Sequence, residues 1–327
     1  LLRFLYNISM KLRELYNNFW KHQAKGLEKE YNSKNFVFPD EIKKIADIQY
    51  SNSKTDNVFD LYFPRASKKA KLPVIIYVHG GGYVSGNKKY NQKFCNEYAR
   101  HDFAVACINY RKINTETEFI DSLSDVYSAI LYIQNFAKDM PFLDVDNLIL
   151  MGDSAGGHLA SLIACVNASD KLRKLYGYSH KLNIKACVFH SSVFEIFKFR
   201  FLPTPNSIKQ LFLNNNEFKL HYRLTSTLQL MNSDFPPCVC VSSKFDPLRN
   251  QTVRFVKACK RNNVSVDFIS VNTMLNFGHD FQVRCVESKI AKKVNTLAIQ
   301  KLNNILEKQN NLKQENADLE QENADLQ

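Results

Sequence analysis

GDSAGG, at residues 152–157, is a G-x-S-x-G pattern that lies between a strand-like run and a helix-like run. Residues 147–151 read NLILM, which is typical of a buried parallel strand, and residues 158–164 read HLASLIA, which is compatible with a helix. A serine on a sharp strand-to-helix turn has strained backbone angles and close neighbours, so glycines are needed two residues to either side. The stretch therefore predicts a nucleophilic Ser154 on an α/β sheet.

A second glycine-rich string, HGGGY at residues 79–83, directly follows another strand-like run, VIIYV at residues 74–78. Loops of this type bring bare backbone N–H groups close to the reacting carbonyl, where they stabilise the developing oxyanion. One string thus supplies a nucleophile and the other its oxyanion hole. Together they indicate a serine hydrolase.

A nucleophilic serine needs a base and an acid, and in this fold the acid follows the serine and the histidine comes last. Asp246 follows the strand-like run at residues 237–241, which places it at a strand's carboxyl end, where open α/β sheets form their sites. His279 follows the next strand-like run, at residues 264–271. We therefore predict Ser154 as nucleophile, Asp246 as acid and His279 as base.

Other aspartates and histidines fit these roles less well. Asp234 precedes its strand, Asp267 lies inside one, and Asp280 would have to turn back on the histidine beside it. His158 lies on the helix that begins at the nucleophile, on a face expected to be buried, so a hydrogen-bonded packing role is favoured. His79 is expected to brace the glycine loop.

The two strings, together with FDPLR at residues 245–249 and GHDF at residues 278–281, resemble the hormone-sensitive-lipase-type branch of the α/β-hydrolases. That branch includes bacterial carboxylesterases and arylformamidase-like relatives. The resemblance covers about residues 45–300 and implies a small helical lid over the site and no cofactor. The oxyanion-hole residues that it implies are Gly81, Gly82 and Ala155.

Ester hydrolysis through an acyl-enzyme intermediate, on a small-molecule ester, is the predicted function. An amidase or arylformamidase on the same machinery is the alternative among enzymes, and a ligand-binding protein on a hydrolase fold is the alternative outside them. Two loops depart from the resembling group: residues 242–244 read SSK where a glycine is common, and residues 112–118 lack its proline-rich segment. Because such loops shape the pocket, the acyl and alcohol groups stay open.

Composition agrees with one large catalytic domain, since 45% of the 327 residues are hydrophobic. Strand-like and helix-like runs alternate, which predicts a mostly parallel sheet of about eight strands with helices on both faces. The net charge of +12 comes from scattered lysines without interleaved aromatic residues, so no nucleic-acid partner is expected. No run reaches the roughly 18 apolar residues of a membrane span, and a cytoplasmic location is expected.

The eight cysteines fall mostly where small apolar residues belong, and we expect them to be reduced core residues. Cys238 and Cys240 form a C-x-C pattern on one strand. We expect their side chains to point to opposite faces of the sheet, which works against a shared metal site. The sequence contains no C-x-x-C or H-E-x-x-H pattern, so no metal is predicted.

We divide the chain into an N-terminal segment, residues 1–40, a catalytic domain, residues 41–300, and a C-terminal segment, residues 301–327. Three segments do not follow the sheet pattern: the two terminal ones and an insertion in the catalytic domain. The first is an amphipathic helix, predicted to be a lid or packing element, with membrane-surface contact as the alternative. Residues 191–235, inside the catalytic part, are rich in phenylalanine and are the main lid candidate. The last segment has a leucine or isoleucine at every seventh position, which is typical of a self-associating coiled coil. Because most of the other residues are polar, a frayed polar tail is the alternative.

Overall fold

Eight strands form a single mixed sheet in the order β1-β2-β4-β3-β5-β6-β7-β8. The computed structural model describes residues 37–51, 56–114, 116–196 and 222–325, and residues 14, 18, 22, 25, 26 and 28. Strand β2 is antiparallel to both of its neighbours, and every other neighbouring pair is parallel. The strands are β1 Ile42–Gln49, β2 Val58–Pro64, β3 Leu72–Val78, β4 Ala104–Ile108, β5 Leu143–Asp153, β6 Ile184–His190, β7 Cys238–Ser243 and β8 Val266–Val271. The predicted fold class is confirmed.

The central strands are apolar along their whole length because helices cover both faces of the sheet. Every residue of β3 and of β4 is buried, as a parallel sheet between two helical layers requires. The described α-helices are α1 Gln92–Ala99, α2 Phe119–Phe136, α3 Ser154–Asn167, α4 Asp170–Tyr176, α5 Thr227–Leu230, α6 Arg249–Arg261, α7 Phe281–Arg284 and α8 Lys289–Asp325. Helices α2, α3 and α6 cover one face, and α1 and α8 cover the other.

Helix α8 runs without interruption through the predicted boundary between residues 300 and 301. Its apolar side packs on the sheet as far as Leu306. Beyond that point most of the described side chains are exposed, and Leu312 is 48% exposed. The helix therefore extends past the body of the protein, and self-association through it stays a prediction.

Most of residues 1–40 and the central part of the lid candidate, residues 197–221, lie outside the described residues. The six described positions before residue 37 are exposed, and Glu28 Oε1 lies 3.2 Å from Nζ of Lys89, which is in the 3-10 helix Lys88–Asn91. At the start of the lid segment, Phe194 is buried and stacks on Phe255 of α6 with ring centroids 3.9 Å apart. None of the described helices is both long enough and apolar enough to cross a membrane.

The prediction for the C-x-C pattern was wrong. Cys238 and Cys240 face the same layer of the core, and Val239 faces the other, because residues two apart on a strand share a face. Cys238 Sγ lies 4.0 Å from Cys259 Sγ, and all eight cysteines are free thiols. Among the described residues, no group of three or more His, Cys, Asp or Glu side chains could hold a metal ion.

Candidate active site

The nucleophile turn joins the end of β5 to the first residue of α3. Ser154 has a φ of 49°, a strained angle for a residue with a side chain. A Cβ on Gly152 would lie 2.6 Å from the Gly156 carbonyl carbon, and a Cβ on Gly156 would lie 2.1 Å from the carbonyl oxygen of Val78. The turn therefore packs against the end of β3 so closely that only glycine fits at these positions.

Ser154, His279 and Asp246 come together at the carboxyl edge of the sheet. Ser154 Oγ lies 3.1 Å from His279 Nε2, and Asp246 Oδ1 lies 3.2 Å from His279 Nδ1. Asp246 follows the end of β7, and His279 follows a short 3-10 helix, Leu275–Gly278, beyond β8. The order of contacts is that of a nucleophile, a base and an orienting acid.

Local contacts hold the acid and leave the base accessible. The Asp246 side chain is fully buried, and its Oδ1 also accepts the Leu248 N–H at 2.7 Å, which fixes the carboxylate plane. The His279 side chain is 26% exposed. A substrate can therefore reach the imidazole, while its orienting partner stays protected from water.

The glycine loop is tied directly to the nucleophile turn. Asp153 Oδ1 accepts hydrogen bonds from the Gly80 N–H at 2.8 Å and from the Tyr77 hydroxyl at 2.5 Å. A Cβ on Gly80 would lie 3.1 Å from the Ser154 Cβ, so the loop and the nucleophile are in contact. Because the Gly80 N–H is used by Asp153, the oxyanion hole has to come from other backbone groups.

Gly81, Gly82 and Ala155 remain the predicted donors. Gly81 and Gly82 follow Gly80 in the loop and have positive φ angles of 128° and 58°. Ala155 lies in the first turn of α3, where a backbone N–H has no acceptor within the helix. Their assignment as oxyanion donors stays a prediction.

Three other histidines near the site are buried and neutral. His158 contacts the Tyr83 hydroxyl through Nδ1 at 2.9 Å and the Thr225 carbonyl through Nε2 at 2.7 Å. His79 stacks on Tyr110 with ring centroids 4.6 Å apart. Burial lowers the pKa of His79, His158 and His190 to about 4. The expected packing role of His158 and bracing role of His79 agree with these contacts.

Asp280 contacts His279 in the structure, although the sequence analysis chose Asp246 as the acid and did not expect this second contact. Asp280 is in the left-handed region, with a φ of 49°, and its carboxylate does turn back: Oδ2 lies 3.1 Å from His279 Nε2. The same nitrogen faces Ser154 Oγ. Aspartate is one of the few residues with a side chain that tolerates such a backbone, and this was the only sequence signal for the turn.

Three carboxylates determine the charge state of the base. Burial alone would lower the pKa of His279, but Asp280, Asp246 and Asp153 together outweigh it and raise the pKa to about 9. Burial raises the pKa of Asp280 as well and His279 opposes that rise, so Asp280 is charged when it is paired with a protonated His279. The site is therefore built to hold a proton on or beside Nε2.

A protein-family model described as BD-FAE matches residues 59–257, which is more than half of the chain. The chain belongs to the BD-FAE family. The matched range holds the glycine loop, the nucleophile turn and Asp246, and it ends before His279. The contacts of His279 with Ser154 and Asp246 in the structure join this later histidine to the range that the family model matches.

Curated relatives of this BD-FAE chain include a putative α/β hydrolase of Acanthamoeba polyphaga mimivirus, 24% identical over 72% of this chain and 69% of that protein. The versiconal hemiacetal acetate esterase of Aspergillus parasiticus is 33% identical over 43% of this chain. That alignment spans only 40% of the esterase. Among solved structures, esterase B from Lactobacillus Rhamnosis superimposes with a TM-score of 0.85 at 21% identity, covering 94% of this chain and 99% of that one. The superposition confirms the α/β-hydrolase fold.

Proposed function

We propose that this BD-FAE-family protein hydrolyses carboxylic esters through an acyl-enzyme intermediate on Ser154. The observation that carries the proposal is the continuous contact from Ser154 Oγ through the His279 ring to Asp246. The esterase names of its relatives support the same class of reaction.

The first half-reaction forms the acyl-enzyme. Ser154 Oγ attacks the ester carbonyl carbon while His279 Nε2 takes the hydroxyl proton. Asp246 accepts a hydrogen bond from the Nδ1–H of the ring, which keeps the tautomer correct and stabilises the imidazolium. The carbonyl oxygen becomes an oxyanion that receives hydrogen bonds from the predicted backbone donors, Gly81, Gly82 and Ala155.

Collapse of the tetrahedral intermediate breaks the bond to the alcohol, and His279 Nε2 gives its proton to the leaving oxygen. A water molecule then attacks the acyl carbonyl and gives a proton to the same nitrogen. Breakdown of the second intermediate returns that proton to Ser154 Oγ and releases the carboxylic acid. Proton gain and loss at Nε2 balance over the cycle, so no cofactor is needed.

Preorganisation of the glycine loop supports this assignment. The bond from Gly80 to Asp153 and the bond from Tyr77 to the same carboxylate oxygen fix the loop before substrate arrives. Donors held in this way stabilise transition-state charge without a reorganisation cost at the moment of reaction.

Ser154→Ala tests the proposal directly. We expect it to lower kcat for para-nitrophenyl esters by about 10⁴- to 10⁶-fold, because both half-reactions need the hydroxyl. Ser161→Ala is the matched control, since Ser161 lies two turns later on α3 and bonds to the His158 carbonyl and Thr227, not to the triad. The measurement is kcat and KM over esters from acetate to palmitate, with circular dichroism of each variant.

Undiminished turnover in Ser154→Ala would exclude the nucleophile. The folded wild-type protein could also show no turnover and still react with a fluorophosphonate probe at Ser154. That result would contradict ester hydrolysis, but it would show that Ser154 is activated. Matched amides of the same acyl groups would then test the amidase alternative.

A further inference from the structure

The reacting nitrogen of His279 has two competing neighbours. Ser154 Oγ and Asp280 Oδ2 each lie 3.1 Å from Nε2. Asp280 is 4% exposed, and its second oxygen, Oδ1, has no hydrogen-bond partner among the described residues. A buried carboxylate with one unpartnered oxygen is costly unless a positive charge lies beside it. His279 in its protonated form is the group in contact that supplies such a charge.

Charged groups from three elements and one hydroxyl from a fourth surround the pair. Asp246 after β7 contacts the opposite ring nitrogen, and Asp153 at the end of β5 adds a third carboxylate. Arg284 on α7 places Nη2 3.5 Å from Asp153 Oδ2 and is the cation that faces Asp280 from this side. At the end of β6, Ser191 Oγ accepts the Asp280 N–H at 3.1 Å. Three carboxylates against one arginine leave a net negative site that favours an imidazolium.

We propose that Asp280 is a second acid–base partner of His279, which holds the Nε2 proton of the resting enzyme and so sets the pH at which Ser154 can react. This inference rests on the proposed function of Ser154 and His279. In the resting state the imidazolium donates Nε2–H to Asp280 and Nδ1–H to Asp246. Loss of the Nε2 proton leaves a neutral ring whose lone pair faces Ser154.

The same contact strengthens the base once it is free. In the transition state the imidazolium is stabilised by carboxylates at both nitrogens, so proton removal from Ser154 is more favourable than with Asp246 alone. Fewer rings are free at neutral pH, and each free ring is a better base. Removing Asp280 should therefore speed the reaction at low pH and should not speed it at high pH.

Asp280→Asn removes the charge with little change in shape. Asparagine tolerates the left-handed backbone of this position, and the backbone bond to Ser191 is retained. Asp280→Gly, which adopts the same backbone freely, serves if the asparagine variant does not fold. Asp267→Asn is the matched control, because Asp267 pairs with Lys301 on the surface at 2.9 Å and does not contact the site.

The experiment is a pH titration of the His279 imidazole by NMR in the histidine-labelled full chain, assigned with a His279→Gln variant. It is combined with the pH dependence of fluorophosphonate labelling at Ser154. We expect the His279 midpoint to fall from about 9 by at least about one unit in Asp280→Asn, a tenfold change in proton affinity. Labelling at pH 7 should rise, but by less than tenfold because each free ring is a weaker base, while at high pH the variant should be no faster than the wild type. Asp267→Asn should change neither curve.

An unchanged His279 midpoint in Asp280→Asn would overturn the inference. The NMR titration reads protonation without any substrate. A protein that shows the Asp280-dependent midpoint but no ester turnover would contradict the proposed function and leave the Asp280 contact established. Asp280→Glu should keep a raised midpoint, since it retains the charge.

Discussion

Gly156 is the glycine of the site whose added Cβ would lie closest to backbone atoms. An added Cβ would lie 2.1 Å from the Val78 carbonyl oxygen and 2.5 Å from that of His79, both of which are backbone atoms that cannot rotate away. Gly156→Ala should push α3 from the end of β3 and displace Ser154. We expect about a 100-fold loss of kcat/KM, the usual effect of a misplaced reacting group, and a decrease of about 1–3 kcal/mol in the free energy of unfolding.

Gly177→Ala provides the comparison for that prediction. Gly177 ends α4 in the left-handed region, with a φ of 70°, and an added Cβ would meet no atom within 4 Å. It should cost about 1 kcal/mol of stability with kcat/KM unchanged. Urea unfolding and esterase assays on both variants separate backbone strain from steric conflict, and equal activity of the two would refute the clearance argument.

Individual residues of the site differ in how far the sequence predicts them. The G-x-S-x-G pattern, the strand-like runs and the chain order of this fold led to the prediction of Ser154, Asp246 and His279, and the structure brings these three side chains into contact. The Asp280 contact depends on a single left-handed backbone angle and on the packing that turns the carboxylate inward. No spacing rule contains that information.

A buried ion cluster ties the end of the glycine loop to the sheet edge. Lys88 begins the 3-10 helix after the loop, and its Nζ contacts Asp60 on β2 and Asp47 Oδ1 on β1, the latter at 2.7 Å. Lys44 Nζ contacts the other oxygen of Asp60 at 2.8 Å. Burial would raise the pKa of Asp60, but the hydrogen bonds from Lys44 and Lys88 hold it below its usual range.

Asp60→Asn should destabilise the fold by about 3 kcal/mol, because it leaves Lys88, 7% exposed, with only the exposed Asp47 as its carboxylate partner. Asp56→Asn is the matched control, since the pair of Asp56 and Lys112 is more exposed and should contribute less than about 1 kcal/mol. Urea unfolding at pH 7 is the measurement. Because the folded pKa of Asp60 is lowered, its contribution is present at pH 7 and is lost as the pH falls through that folded pKa. Equal losses in the two variants would show that the cluster does not anchor the loop.

Elements with uniform burial were predicted well, and so was β8 at one edge of the sheet, whereas no strand was specified for β1 at the other edge. The runs VIIYV and NLILM lie within β3 and β5 because both faces of those strands are covered. Strand β1 lies at the sheet edge with an irregular burial pattern, and nothing in its sequence shows that β2 beside it is antiparallel. The catalytic domain was predicted to end at residue 300, yet α8 continues past that residue, and its apolar side packs on the sheet as far as Leu306.

At the scale of the whole molecule, one sheet joins chemistry from four distant parts of the chain. The glycine loop follows β3, the predicted nucleophile follows β5, the predicted acid follows β7 and the predicted base follows β8. All four strands are parallel to one another, so their carboxyl ends meet at one edge. Packing on both faces fixes those ends, which explains why residues predicted from short, distant strings meet in the structure.

Stability should depend on pH in opposite directions on the two sides of neutrality. His79, His158 and His190 have folded pKa values of about 4, below the unfolded value of about 6.5. The unfolded chain therefore binds more protons between those values, and stability falls as the pH drops from about 6.5 to 4. His279, with a folded pKa of about 9, contributes stability that is complete below about 6.5 and is lost as the pH rises through 9.

Urea unfolding across this range should give a maximum near pH 6.5, with the opposing slopes set by different residues. His158→Gln should make the acidic slope shallower, because one fewer buried ring must be protonated on unfolding, and should leave the alkaline slope unchanged. Asp280→Asn should make the alkaline slope shallower, since it lowers the folded pKa of His279. A stability that stays constant from about pH 6.5 to 4.5 would contradict the burial of neutral histidines, whereas an alkaline slope that is unchanged in Asp280→Asn would assign that slope to a group other than His279.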